Sequence, residues 1–483
     1  MSSIRKDTVA GVKWAAIERF SVQGIQFLLG LVMARLLSPS DYGTVGMLGV
    51  FLAVSQAFID SGFSNALIRK KDRTEKDFVT VFYFNIVVAV VCYICLFFAA
   101  PWVGRFFSLP ILSPILRVVA INLVLNSLIG VHLAKLTIDI NFKALAQRSL
   151  LAVAISGLLG IFLAYKGFGV WALVFQNLAG TVVNLLFIWF YSRWIPRERF
   201  SKESFRDLFS YGSKMLAAGL LHTLYDNLNH IVIGKFFSSK DLGVYSRGTQ
   251  LARFPVDNIN GVLQKVTFPV FAKINDDDER LVYVYRKYIC ITSAFIFFGC
   301  VLMAAISRPL VLFLLTDKWE EAIVYLQIFS FAIMFDHICS INLNLLQVKG
   351  RSDLFLRLEI IKKCISTAIL FASIPFGVVG ICVSKIIYTQ IAVFINTYYT
   401  GKLFNMGYWT QMRDFMPYLL MALVSCALPY ILTKTVDNHI VVILLGCMLA
   451  VAVYFGLLYV KKDEVFMEFV VPQLRRAGRS LRR

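Results

Sequence analysis

Apolar runs of about twenty residues or more recur from one end of this chain to the other, and they leave few folds open. A helix needs about 20 mainly apolar residues to cross a bilayer. Runs of that kind lie at approximately 14–35, 43–68, 78–100, 112–134, 145–165, 169–192, 208–234, 243–268, 286–307, 323–347, 356–375, 378–400, 415–433 and 439–460. Transmembrane β-strands would be about ten residues long and alternating; these runs are longer and uniformly apolar. They predict an all-α polytopic membrane protein with about fourteen transmembrane helices. Composition agrees: 58% of the 483 residues are hydrophobic and 16% are charged, where a soluble domain carries about 25% charged residues.

The net charge of +20 raises the question of nucleic acid. Placement of the cations answers it. With fourteen helices, 34 of the 49 Lys and Arg fall on segments of one side and 8 on the loops of the other. The rule that cytoplasmic loops carry the excess of Lys and Arg then predicts both termini in the cytoplasm. The basic excess is topogenic, and no nucleic-acid partner is implied. Met1-Ser2-Ser3-Ile4-Arg5-Lys6 precedes an apolar run too long for a signal peptide and without a small-x-small cleavage site, so it reads as the start of a retained helix. The nine cysteines sit in or beside apolar runs. Cys92 and Cys95 make a Cys-x-x-Cys inside a helix pattern with no neighbouring His, which reads as packing.

A segment recurs at an offset of 200 residues. Arg35-Leu36-Leu37-Ser38-Pro39-Ser40-Asp41-Tyr42-Gly43 returns as Lys235-Phe236-Phe237-Ser238-Ser239-Lys240-Asp241-Leu242-Gly243. The likeness continues into charged hairpins at 69–77 and 272–280, and into tight turns at Gly167-Phe168-Gly169-Val170 and Pro375-Phe376-Gly377-Val378. Six helices per repeat is an even number, so the halves are parallel repeats. The expected division is an N-lobe at 1–192, a cytoplasmic linker at 193–206, a C-lobe at 207–400, and two further helices with a basic tail at 401–483.

Ionisable side chains near a bilayer centre cost about 2.5–3.5 kcal/mol on insertion scales, so they usually face protein or water. Here they are unevenly placed. Arg19, Gln23, Gln26 and Gly30 share one face of span 1, and Gln56 and Asp60 lie four apart on span 2. His222, Asp226 and His230, with Tyr225 and Asn229 nearby, mark span 7. Span 8 carries Gln250, Arg253, Asp257, Asn260 and Gln264 in one stripe, flanked by Arg247 and Lys265. Span 10 places Asp336, Ser340, Asn344 and Gln347 on one face. These faces are expected to line a shared cleft. Arg253 and Asp257 are also spaced to neutralise each other. His222, Asp226 and His230 drift around the helix too far to serve one metal ion, so no metal site is expected. Asp60 has no sequence-local cation, which suits a proton or sodium site; a helix-end carboxylate near the basic loop is the alternative. Asp226, Asp257 and Asp336 are further ion-coupling candidates. No Walker phosphate loop, zinc-protease or nucleophile-elbow motif is present, so neither ATP use nor catalysis is expected. The acidic run Asp276-Asp277-Asp278-Glu279 reads as a solvated helix connection.

Gly11-Val12-Lys13-Trp14-Ala15-Ala16-Ile17, Ala34-Arg35-Leu36-Leu37 with Asp41-Tyr42-Gly43, Asp60 to Arg69, Phe268-Pro269-Val270-Phe271-Ala272-Lys273-Ile274 and Asp317-Lys318-Trp319 resemble the Wzx-type polysaccharide flippases. The likeness is to the colanic-acid and teichuronic-acid exporter branch of the multidrug/oligosaccharidyl-lipid/polysaccharide superfamily. It implies two six-helix lobes around a central cavity, plus two C-terminal helices, in the bacterial inner membrane. It implies movement of an undecaprenyl-diphosphate-linked oligosaccharide to the periplasmic leaflet by alternating access, with polysaccharide polymerase machinery as a further partner. No cofactor is implied beyond H+ or Na+ coupling. Cavity arginines on the first and eighth helices of related lipid flippases correspond by helix to Arg19 and Arg253, with Arg247 beside the latter, as diphosphate ligands. Gln23, Gln26, Tyr225, Asn229, Gln250 and Asn260 would suit the sugar. Drug exporters of the superfamily place an acidic residue on the first helix; here Glu18 stands beside Arg19, where it could equally neutralise that arginine. A multidrug exporter shares the fold but favours an acidic, aromatic cavity. A membrane glycan polymerase or ligase would need a large periplasmic loop, and none is found.

Overall fold

Helix overlies the described part of every expected span. The computed structural model describes residues 21–60, 63, 66–67, 70, 72–139, 142–464 and 466–470. Among them, ten helical stretches are long and apolar enough to cross a membrane. By contact the chain divides into two units, Met1–Gly243 and Val244–Arg483.

In the first unit α1 (Ser21–Leu36) leads into α2 (Pro39–Asp60). Then come α3 (Glu75–Phe106), α4 (Leu112–Val119), α5 (Ile121–Ile138), α6 (Phe142–Tyr165), α7 (Val170–Ser192) and α8 (Lys202–Phe236). The helix α9 (Ser239–Lys273) begins in this unit and continues into the second. There α10 (Asp278–Ala305), α11 (Ser307–Leu314), α12 (Ala322–Ile333), α13 (Asp336–Val348), α14 (Ser352–Ser373), α15 (Gly377–Phe404), α16 (Tyr408–Thr435) and α17 (His439–Val460) follow. α8 and α9, at 35 residues each, are long enough to span but are not among the ten apolar stretches. Their polar stripes explain that.

The duplicated segment is a pair of matching helix starts. Ser38 donates from its backbone N–H and its hydroxyl to Asp41 Oδ2 at 2.9 and 2.7 Å. Ser238 does the same to Asp241 Oδ2 at 3.0 and 2.6 Å. In each copy a Ser caps the helix and an Asp three residues on closes the box, satisfying donors that the helix itself cannot pair. The glycines that close the motif allow close approach. A Cβ on Gly43 would lie 1.7 Å from the Ser239 carbonyl oxygen, and one on Gly243 would lie 1.8 Å from that of Pro39. Ser40 and Ser239 share a hydroxyl–hydroxyl bond of 2.7 Å at this crossing.

The charged hairpin before α3 is tied by the same chemistry. Asp77, almost wholly buried, accepts from the Thr74 N–H at 2.8 Å and from Lys70 Nζ at 3.1 Å; Lys70 also meets Asp207 at 2.9 Å. Burial pulls the Lys70 ammonium down, but its hydrogen bonds to Asp207 and Asp77 outweigh that and hold it above lysine's usual range. The turn between α6 and α7 needs Gly167 and Gly169, at φ +82° and +53°.

The segment 193–206, expected as a linker, lies wholly inside the first unit. Trp194 packs edge-on to Phe82 and His132, and its indole N–H donates to Glu75. The Ser201 N–H donates to Thr80 Oγ1 at 3.0 Å. The division between units falls later, at the Gly243–Val244 bond inside α9. The acidic run at 276–279 is a helix cap: the Asp277 side chain accepts from the Arg280 N–H at 3.0 Å, and Asp278 pairs with Lys349 at 2.6 Å.

Candidate substrate site

The expected site residues fall into two groups, one per unit. In the first unit Gln23 and Gln26 are exposed on α1. Gln56 Nε2 donates to Asp60 Oδ1 at 3.0 Å at the end of α2. On α8 His222 Nδ1 and Asp226 Oδ2 meet at 2.9 Å, while Tyr225 and Asn229 are half-buried. Among the described residues no three metal-ligating side chains converge. Arg19, the first diphosphate candidate, and Glu18 lie outside the described residues.

The second unit holds a denser set. The α9 stripe starts where Arg247 Nη1 donates to Gln250 Oε1 at 2.8 Å. One to three turns on, Arg253 and Asp257 are exposed and Asn260 is half-exposed. Arg253 and Asp257 form no ion pair with each other, although the i, i+4 spacing permits one. The side chain of Gln264, last in the stripe, and that of Lys265 lie outside the described set.

Asp336 on α13 lies within electrostatic range of charges on three other helices. It interacts electrostatically with Lys385, Arg253, Asp257 and Lys362. Two of these cations carry no weight in the sequence reading. Lys362 sits midway along α14, is 7% exposed, and pairs with Glu359 one turn earlier. Lys385, on α15, lies 4.5 Å from the centroid of the Tyr388 ring. Lysines within apolar helices give no local pattern, so only packing brings them within electrostatic range of a carboxylate on another helix. A buried cation needs a counter-charge, and that requirement was the available signal.

The second unit also buries a neutral polar network. Asn342 Oδ1 accepts from Tyr285 Oη at 2.9 Å and from Thr400 Oγ1 at 2.8 Å. Asn342 Nδ2 donates to Gln411 Oε1 at 2.9 Å, and Gln411 Nε2 donates to the Met406 carbonyl at 2.7 Å. These four side chains come from α10, α13, α15 and α16 and are fully buried. Beside the network Arg286 grips Asp414 through two bonds of 2.9 and 2.6 Å. This set locks helices and presents nothing to a ligand.

The fold and these charged, membrane-embedded faces define a polytopic all-α membrane protein built to handle a polar or charged species. The chain belongs to the polysaccharide biosynthesis protein family, whose model matches residues 32–324. The teichuronic acid biosynthesis protein TuaB of Bacillus subtilis (strain 168) is 25% identical over 359 residues, covering 73% of this chain and 74% of that protein. The lipopolysaccharide biosynthesis protein WzxC of Escherichia coli (strain K12) is 23% identical over 384 residues, covering 78% and 76%. The expected kinship with Wzx-type exporters is thereby borne out. Among solved structures, the lipid II flippase MurJ in its inward closed conformation matches with a TM-score of 0.71 over 92% of this chain and 97% of that one, at 15% identity. That likeness shows the fold, an all-α polytopic one as expected.

Proposed function

We propose that this protein moves an undecaprenyl-diphosphate-linked oligosaccharide from the cytoplasmic to the periplasmic leaflet of a bacterial inner membrane by alternating access. The observation that carries the reading is the α9 stripe: in a chain of this family, Arg253 is exposed on a membrane helix with Arg247 above it. Such a cation costs free energy in a bilayer unless it faces water, protein or an anion. A diphosphate offers about two negative charges and a fork of oxygens that guanidinium groups bind well. The names of the relatives, two in polysaccharide biosynthesis and one a lipid II flippase, support the same class of substrate.

On this reading Arg247 and Arg253 hold the diphosphate in the second unit, and Gln250 and Asn260 bond to sugar. Gln23, Gln26, Tyr225 and Asn229 do so in the first unit. The part of Arg19 rests on the sequence alone. The role is transport, and no chemical step is assigned. Coupling runs through H+ or Na+ at Asp60, Asp226, Asp257 or Asp336. A multidrug exporter taking cationic drugs would be poorly served by arginines in the same stripe.

Loss of the protein is expected to leave the lipid-linked oligosaccharide on the cytoplasmic leaflet, read by accessibility to a membrane-impermeant glycan reagent. Arg253→Ala is expected to abolish export at unchanged membrane abundance, and Arg253→Lys to retain part of it. An unaltered leaflet distribution in the null strain defeats the reading. Normal export by Arg253→Ala removes that residue from the mechanism.

A further inference from the structure

A polar cavity with an apolar annex lies well away from the α9 stripe, at one end of the second unit. The end of α10, the start of α12, the end of α16 and the start of α17 enclose about 780 Å³. Ligand pockets usually measure about 300–1,000 Å³. Two cations, Arg308 and Lys434, and two anions, Glu320 and Asp437, line it. Its floor is fixed: Gln327 Nε2 donates to the fully buried Ser307 hydroxyl at 2.9 Å. Glu320 follows the fully buried Trp319 and meets Arg308 at 3.5 Å.

A second hollow of about 330 Å³ shares Ala305, Gln327 and Tyr430 with the first. Its other walls are apolar, with Val301, Phe331, Leu423 and Ala427 among them, each a turn or two further from the helix ends. A charged compartment at the helix ends thus opens onto an apolar groove running into the bundle. That is the shape of an amphiphile. The loop charge bias places this end outside, where only 8 of the 49 Lys and Arg lie. Two of those eight converge on this cavity, and topology gives no reason for them.

We infer that this cavity binds a zwitterionic phospholipid of the outer leaflet whose headgroup carries a primary ammonium, of the phosphatidylethanolamine class. Arg308 and Lys434 take the phosphate, Glu320 and Asp437 take the ammonium, and an acyl chain follows the groove between α10, α12 and α16. The balance of two charges of each sign selects this headgroup. A purely anionic headgroup would satisfy the cations and leave both carboxylates facing negative charge. The inference is independent of the transported substrate.

The test is native mass spectrometry of the full-length protein released from detergent after incubation with phosphatidylethanolamine, phosphatidylglycerol or soluble glycerophosphoethanolamine. Phosphatidylethanolamine is expected to be retained about tenfold better than phosphatidylglycerol, the size of one charge-assisted hydrogen bond. Arg308→Ala with Lys434→Ala, and Glu320→Gln with Asp437→Asn, should each lower its retention about tenfold. Ala427→Trp, which fills the groove, should lower it as well. Lys434→Gln and Asp437→Asn alone alter exposed positions and keep the test open where a double variant does not purify as a monodisperse species. Equal retention of phosphatidylglycerol, effective competition by glycerophosphoethanolamine, or unchanged retention in these single variants overturns the proposal.

Discussion

Gly43 shows what a single residue decides here. Nothing larger than hydrogen fits, because a Cβ would stand 1.7 Å from the Ser239 carbonyl oxygen. That oxygen belongs to backbone and cannot swing away. Gly43→Ala is therefore expected to lower the thermal midpoint of the purified protein by several degrees. Ser38→Ala, which removes only a cap worth about 1 kcal/mol, should lower it less. A Gly43→Ala protein as stable as the parent would show that the crossing yields at little cost. The buried lysines teach a different lesson. Lys362 reads in sequence as one more cation of a basic cytoplasmic loop, yet it is 7% exposed. Its meaning depends on Glu359 and Asp336, and Asp336 is on another helix.

At the scale of elements, helices in the second unit are keyed together by polar contacts as well as by apolar packing. Asn342 bonds with Tyr285, Thr400 and Gln411. Asn342→Leu would strand two buried polar groups, the Tyr285 hydroxyl and Gln411 Oε1, each costing about 1–3 kcal/mol when unsatisfied. The expected outcome is a lowered midpoint in thermal unfolding, whereas Asn344→Leu on the neighbouring half-exposed position should be nearly neutral. Equal behaviour of the two variants would refute the network's role. The helices themselves were legible from apolar run length, because a bilayer imposes its thickness on every span. The polar stripes on α8 and α9 were legible from spacing, since i, i+4 residues share a face. Asn342 was not: spacing favours Asn344 and Gln347, because periodicity within one helix cannot say which face meets a neighbour's polar groups. The lysines within electrostatic range of Asp336 were hidden for the same reason.

At the scale of the whole molecule, the loop charges imply a sorting of charge by side. Single-cysteine reporters in a background lacking the nine native cysteines should make this visible. Lys318→Cys and Asp437→Cys are expected to react with a membrane-impermeant thiol reagent added to intact cells, and Asp276→Cys only after lysis. The opposite pattern would invert the topology that the loop charges imply. The crossing at the repeated motif is reciprocal. Gly43 approaches Ser239, and Gly243 approaches Pro39, at nearly the same distance; Ser239 is the counterpart of Ser40's neighbour Pro39. Each copy of the motif thus touches the other through equivalent atoms. That reciprocity is the signature of an isologous contact between identical subunits. A side chain added at Gly43 or at Gly243 would therefore strain the same crossing, from one side or the other.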